Sequence, residues 1–141
     1  MDAKIAVIPW EEKYALGVED IDLQHHYFLN LINRIGEEVS RTDDQRYIKS
    51  LISELDAYAR FHFISEETMM LHAAYPEYEE HKKHHLDLLQ RLSVEQYKLL
   101  NFKDEKEFEK AISFLREWFL HHTNEEDRKF AYFLGRGGRS Q

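Results

Sequence analysis

Between residues 48 and 70 apolar side chains recur at three- and four-residue steps, and His62 and Glu66 stand in the middle of that stripe. Ile48, Leu51 or Ile52, Leu55, and Tyr58 or Ala59 precede them; Met69 and Met70 follow. At about 100° per residue this spacing places every one of these side chains on one face of an α-helix. A face so apolar has to be buried. An imidazole and a carboxylate inside it need partners, because burying them unpaired costs several kcal/mol.

Three other segments repeat the pattern. Ile21, His25, Phe28, Ile32, Ile35 and Val39 mark a first helix over 20–39. Tyr78, His81, His85, Leu88 or Leu89, and Leu92 mark a third over 76–100, and Phe108, Ile112, Leu115, Phe119 and His122 a fourth ending near 134. The breakers sit elsewhere: there are two prolines and five glycines, three of the glycines within the last seven residues. Asp20 is expected to cap the first helix, and Thr42-Asp43-Asp44-Gln45 to form a capping box opening the second, over 43–71. Pro76 suits the first turn of the third helix, Asp104 with Glu107 a second capping box, and Gly135 a C-cap. Residues 1–19 carry Ile5, Val7, Ile8, Pro9, Trp10, Tyr14, Leu16 and Val18 without a sustained period, and read as an extended arm packed on the core. The expectation is an all-α, up-down-up-down four-helix bundle: one domain over 1–141, with arm 1–19, bundle 20–134 and a frayed tail 135–141.

Composition removes several functions. With no cysteine there are no disulfides, thiolate metal sites or cysteine nucleophiles. A formal net charge of -8 argues against a surface for nucleic-acid phosphates. No apolar run has the length of a membrane span and the N-terminus lacks a signal-type apolar region, so a cytoplasmic protein is expected.

One histidine on an apolar face is more often a core residue bonded to backbone than a ligand. Here His25, His62, His81, His85 and His122 lie on four converging stripes. Helical carbonyls are already engaged, so these rings and Glu66 cannot all be satisfied by backbone. A metal centre satisfies them together, and imidazole with carboxylate suits iron, zinc, copper or nickel. Five histidines plus acids exceed the needs of one ion, which points to two metals and a bridging carboxylate. In the fourth helix, spacing alone would pair His122 with Glu126, four residues on; Asp127, five on, is the other candidate.

The segments Asp22-Leu23-Gln24-His25, His62-Phe63-Ile64-Ser65-Glu66-Glu67, His81-Lys82-Lys83-His84-His85 and Trp118 to Asp127 resemble, in order and spacing, the helix signatures of the hemerythrin family, and most of all its prokaryotic single-domain members. The resemblance runs from about Trp10 to Leu134. It implies two non-haem iron ions bridged by a solvent-derived oxo or hydroxo group. His25 and His62 would hold one iron, His81, His85 and His122 the other, with Glu66 and Asp127 bridging. It also implies reversible dioxygen binding at an open position on the first iron. On a regular helix Asp127 lies about 140° round from His122, so with Asp127 as the ligand a π-bulge is expected between residues 122 and 127.

The adjoining residues receive plainer roles. His26, His84 and His121 are expected to face solvent and His72 to sit at a loop; Glu67 is expected to be exposed rather than to support a ligand from behind, and Asp22 to serve the helix N-terminus rather than to orient an imidazole. Phe28, Phe63, Trp118 and Phe119 are core residues, and all but Trp118 are candidates to line an oxygen pocket. The family usually places an aliphatic residue after the fourth-helix histidine; this chain has Thr123. A monomeric oxygen carrier serving an oxygen-consuming protein is the leading reading. A sensory module is the rival, disfavoured by the seven residues left after the fourth helix. A di-iron oxidase or peroxidase is weaker still, since none of the nine histidines lies in a Glu-x-x-His pair.

Overall fold

The structure, a computed structural model, describes residues 9–135. Four helical rods form the expected bundle: α1 (Glu19–Glu38), α2 (Gln45–His72), α3 (Tyr78–Leu100), and a fourth made of α4 (Glu105–His122), a π-helical turn (Thr123–Asp127) and α5 (Arg128–Gly135). The connections are short, and each rod packs on its neighbours, with α1 and α4 closing the ring. There is no strand among the described residues. The expectations for Ile5, Val7, Ile8 and the segment after Gly135 concern residues outside this range.

The stripes bury as their spacing requires. Ile32, Ile35, Leu55, Leu92, Phe108, Ile112 and Leu115 are all completely enclosed in one core. Each such side chain contributes about 1.5–3 kcal/mol over an exposed one. A smaller cluster of Ile21, Met70, Ala73, Tyr75 and Phe130 packs separately. Ile21 lies one turn before His25, Met70 one turn after Glu66, and Phe130 one turn after Asp127. The ring of histidines is therefore closed off by apolar side chains on both sides along the bundle axis.

Several helix ends differ from expectation, each for a local hydrogen-bonding reason. Helix α1 starts at Glu19, with Val18 at the cap position and no capping side chain, so Asp20 is not the cap. Asp22 is used instead to hold the arm, accepting from the Leu16 amide at 2.8 Å and the Gly17 amide at 3.1 Å. Gly17 makes that turn with φ of 87°, a left-handed conformation that glycine adopts without strain. At α2 the cap is Asp44, whose carboxylate accepts from the amides of Arg46 and Tyr47, while Thr42 accepts from Asp44 itself. Pro76 is not in the first turn of α3, which begins two residues later at Tyr78. The intervening residues are taken up by the end of α2. There the Ala74 amide reaches the Leu71 carbonyl and the Tyr75 amide the Met70 carbonyl, a Schellman arrangement with Ala74 at φ 57°. The cap at Asp104 is as expected, with its carboxylate accepting from Glu107 N at 3.0 Å. Glu107 Oε1 in turn accepts from Lys103 N at 2.8 Å.

Within the arm, Glu12–Tyr14 forms a 3-10 turn that buries Tyr14. Trp10 packs edge-on against Tyr14 and stacks on His26, ring centroids 5.0 Å apart. Arg128 of α5 ties the arm down by donating to the Lys13 carbonyl at 3.1 Å.

Candidate metal centre

The bundle brings His25, His62, Glu66, His81, His85, His122 and Asp127 into one cluster, and each is at most 4% exposed. Glu66 and Asp127 stand at its middle and divide it in two. Glu66 Oε2 lies 3.4 Å from His25 Nε2 and 3.1 Å from His62 Nε2. Its other oxygen, Oε1, lies 3.7 Å from His81 Nε2, 3.1 Å from His85 Nε2 and 3.9 Å from His122 Nε2. Asp127 does the same, with Oδ2 2.9 Å from His25 Nε2, and Oδ1 3.3 Å from His81 Nε2 and 3.1 Å from His122 Nε2. Two sets of side chains able to hold a cation result: His25, His62, Glu66, Asp127, and His81, His85, His122, Glu66, Asp127. Both carboxylates belong to both sets.

The π-helical turn is what brings Asp127 inward. The additional residue in Thr123–Asp127 lets a side chain five positions after His122 return to its face. Glu126, the alternative by α-helical spacing, points outward to a salt bridge with Lys129 at 3.5 Å.

Electrostatics tie the cluster together. Burial alone would strip the protons from His25, His81 and His122, but Asp127 and Glu66 more than offset it, raising His25 and His81 to about 9 and His122 to about 10. His62 moves the other way, since burial dominates and lowers it. Burial would likewise keep Glu66 and Asp127 protonated, yet the surrounding imidazoles hold both well below the usual carboxylate range. Attraction does not amount to hydrogen bonding. Both oxygens of Glu66 and of Asp127, and Nε2 of His81, His85 and His122, are buried with no hydrogen-bond partner. Each such orphan costs about 1–3 kcal/mol, and natural cores rarely hold several side by side. His25 Nε2 and His62 Nε2 face each other at 3.1 Å, an arrangement suited to two donors sharing a cation. Nitrogen and carboxylate donors converging on one buried space fit first-row transition ions without further ligands from sulfur.

Outside the cluster, the structure shows partners that spacing did not reveal. His62 Nδ1 donates to Gln24 Oε1 at 2.7 Å, and Gln24 Nε2 donates to Ser65 Oγ at 3.0 Å. His85 Nδ1 donates to Glu67 Oε2 at 2.7 Å, so Glu67 is not the free surface acid expected of it. His84 is half-buried and stacks on His122 with centroids 5.1 Å apart, instead of facing solvent. His26, His72 and His121 are exposed, as expected. Gln24 and Glu67 each adjoin a ligand candidate on their own helix and serve a histidine of another, so only helix pairing could have disclosed them. Phenylalanine rings surround the His25–His62 side: Phe119 lies edge-on to His25 at 5.4 Å, and Phe28 stacks towards His62 at 6.4 Å. Phe63 lies 5.6 Å from His62 and also stacks on His85 at 4.0 Å.

A four-helix bundle with a buried, thiolate-free cluster of histidines and two shared carboxylates defines a metal-binding bundle protein. The chain belongs to the hemerythrin family: the family described as the hemerythrin HHE cation binding domain matches residues 16–134. It is 26% identical over 125 residues to a bacteriohemerythrin of Clostridium acetobutylicum, covering 86% of this chain and 96% of that one. A bacteriohemerythrin of Stenotrophomonas maltophilia is 28% identical over 128 residues, with coverages of 90% and 81%. Hemerythrin subunit alpha of Lingula anatina is 27% identical over 121 residues, covering 86% and 90%. The crystal structure of a wild-type hemerythrin superposes with a TM-score of 0.74 at 23% identity, covering 89% of this chain and 96% of that one.

Proposed function

We propose that the cluster holds two iron ions and binds dioxygen reversibly, for oxygen carriage, storage or delivery. His25 and His62 hold one ion, His81, His85 and His122 the other, and Glu66 with Asp127 bridges them. The observation that carries this reading is the division of both carboxylates, one oxygen towards each set of imidazoles. The sets are also unequal, two histidines against three, which leaves the His25–His62 side with room for an added ligand. When bound, the iron pair supplies the two electrons that dioxygen binding draws on. The protein's part is to hold the donors still and keep water away. Phe28 and Phe119 pack against His62 and His25 on the side with fewer donors, which excludes water where a small apolar molecule would enter. Among the described residues no helix is long and apolar enough to cross a membrane.

The test is an optical titration. Iron-loaded protein is reduced with dithionite under anaerobic conditions, exposed to air, then returned to vacuum. A visible absorption band that appears in air and disappears under vacuum is the expected result. Direct and irreversible passage to the oxidised protein would defeat reversible binding and favour redox sensing or a di-iron oxidase.

A further inference from the structure

His62 and His85 are each held at Nδ1 by a side chain from outside the cluster, and the two holders differ in charge. Gln24 serves His62 at 2.7 Å and Glu67 serves His85 at 2.7 Å. Neither contact is casual. The Gln24 amide is oriented by its bond to Ser65 Oγ, and its backbone carbonyl accepts from the Tyr58 hydroxyl at 3.3 Å. The His85 ring is held from its face by Phe63, nearly parallel at 12° and 4.0 Å away.

Either oxygen accepts a hydrogen bond from Nδ1–H, which fixes the tautomer that leaves the Nε2 lone pair turned towards the carboxylates. They differ in what else they do. A carboxylate draws on the shared proton more strongly than an amide oxygen, which makes the imidazole more basic and a better donor. A better donor favours the more highly charged ion. His85 belongs to the three-histidine set and His62 to the two-histidine set, so the charged partner serves the side already richer in nitrogen donors.

We propose that Glu67 and Gln24 set the two halves of the metal centre apart. Glu67, acting through His85, favours the oxidised ion at the His81–His85–His122 position. Gln24, acting through His62, leaves the His25–His62 position easier to reduce. Both are positioning residues, and the proposal rests on the two-iron reading above.

The experiment compares iron-loaded wild-type protein with Glu67→Gln, Glu67→Ala and Gln24→Glu. Iron per chain is measured by elemental analysis, ferric and ferrous retention by competition with a chelator, and the two one-electron potentials by spectroelectrochemistry. Glu67→Gln keeps an acceptor for Nδ1 and removes only the charge. It should retain two irons while its preference for ferric over ferrous ion falls about tenfold, raising the lower potential by about 59 mV. Gln24→Glu should lower the upper potential by a similar amount. Glu67→Ala should lose iron as well, because the ring is no longer held, and Glu67→Gln should rescue that loss without restoring the potential. Wild-type potentials in a fully loaded Glu67→Gln protein, or equal weakening of ferric and ferrous retention, would show that Glu67 merely props the ring. The inference would then fall with the two-iron reading intact. Wild-type protein retaining fewer than two irons per chain would overturn that reading and the inference with it.

Discussion

Thr123 is fully buried and its hydroxyl has no partner, although it lies between His122 and the turn that delivers Asp127. Burying an unpaired hydroxyl works against stability, typically by 1–3 kcal/mol or about that order. A donor so placed can assist proton movement or admit water where an aliphatic side chain could not. Thr123→Ile is therefore expected to slow autoxidation of the oxygenated, iron-loaded protein. A barrier change of about 1 kcal/mol corresponds to roughly a fivefold slower decay. Decay of the visible band in air measures it, and equal rates in the two proteins would show that Thr123 has no part in autoxidation. At this scale the sequence was informative about side chains lying on their own helix's buried stripe, which is why His25, His62, Glu66, His81 and His85 were legible. It gave no sign of Gln24 and left Glu67 as an exposed acid. A residue beside a ligand candidate points about 100° away from it on the same helix, and its partner belongs to a neighbouring helix whose rotation no single stripe specifies.

Among the elements, the fourth helix shows how a break in period can be read. Its buried residues run in register through Leu115 and Phe119 to His122, then resume one residue late at Asp127 and Phe130, and the π-helical turn falls in that interval. Asp127→Asn should accordingly lower retained iron below two per chain, whereas Glu126→Gln should leave it unchanged, both by elemental analysis. Iron loss from Glu126→Gln alone would reverse the assignment. Helix ends were harder to read than helix faces. Asp20, Asp22, Thr42 and Asp44 are all competent caps, yet α1 has no capping side chain, Asp22 binding the arm instead, and α2 is capped by Asp44. The end of α2 carries a cost that the sequence hides. Ala74 occupies a left-handed conformation that costs a residue with a Cβ about 1–2 kcal/mol. Ala74→Gly should raise stability by about 1 kcal/mol, less the added freedom of glycine in the unfolded chain. Urea denaturation at unchanged m-value checks this; a lower midpoint would show that the side chain of the exposed Ala74 contributes more than its backbone strain costs.

Across the whole molecule, the metal centre is a polar layer between two apolar clusters, so folding and metal binding are one problem. Without an ion, the bundle must enclose two ionised carboxylates among imidazoles. Removing the metal should lower stability, by about 4 kcal/mol relative to protein in metal at a thousandfold excess over Kd. For a chain of this size that is a loss of about 10–20 °C in Tm. The loss should also depend on pH, with a definite sign. In the metal-free chain His25 and His81 are raised to about 9 and His122 to about 10, through Asp127 and Glu66 and against burial. A histidine raised by folding adds stability in full below its unfolded value near 6.5, and that contribution is lost as pH climbs through the folded value. The chelated protein should therefore weaken steadily between about pH 7 and 10. The metal-loaded protein has no such protons to lose at its ligand nitrogens, because binding has already expelled them. The gap between the two Tm values should then widen with pH over that range. A gap that stayed constant would mean that the imidazoles are neutral in the metal-free fold, and equal Tm values would mean that the buried cluster does not bind metal at all.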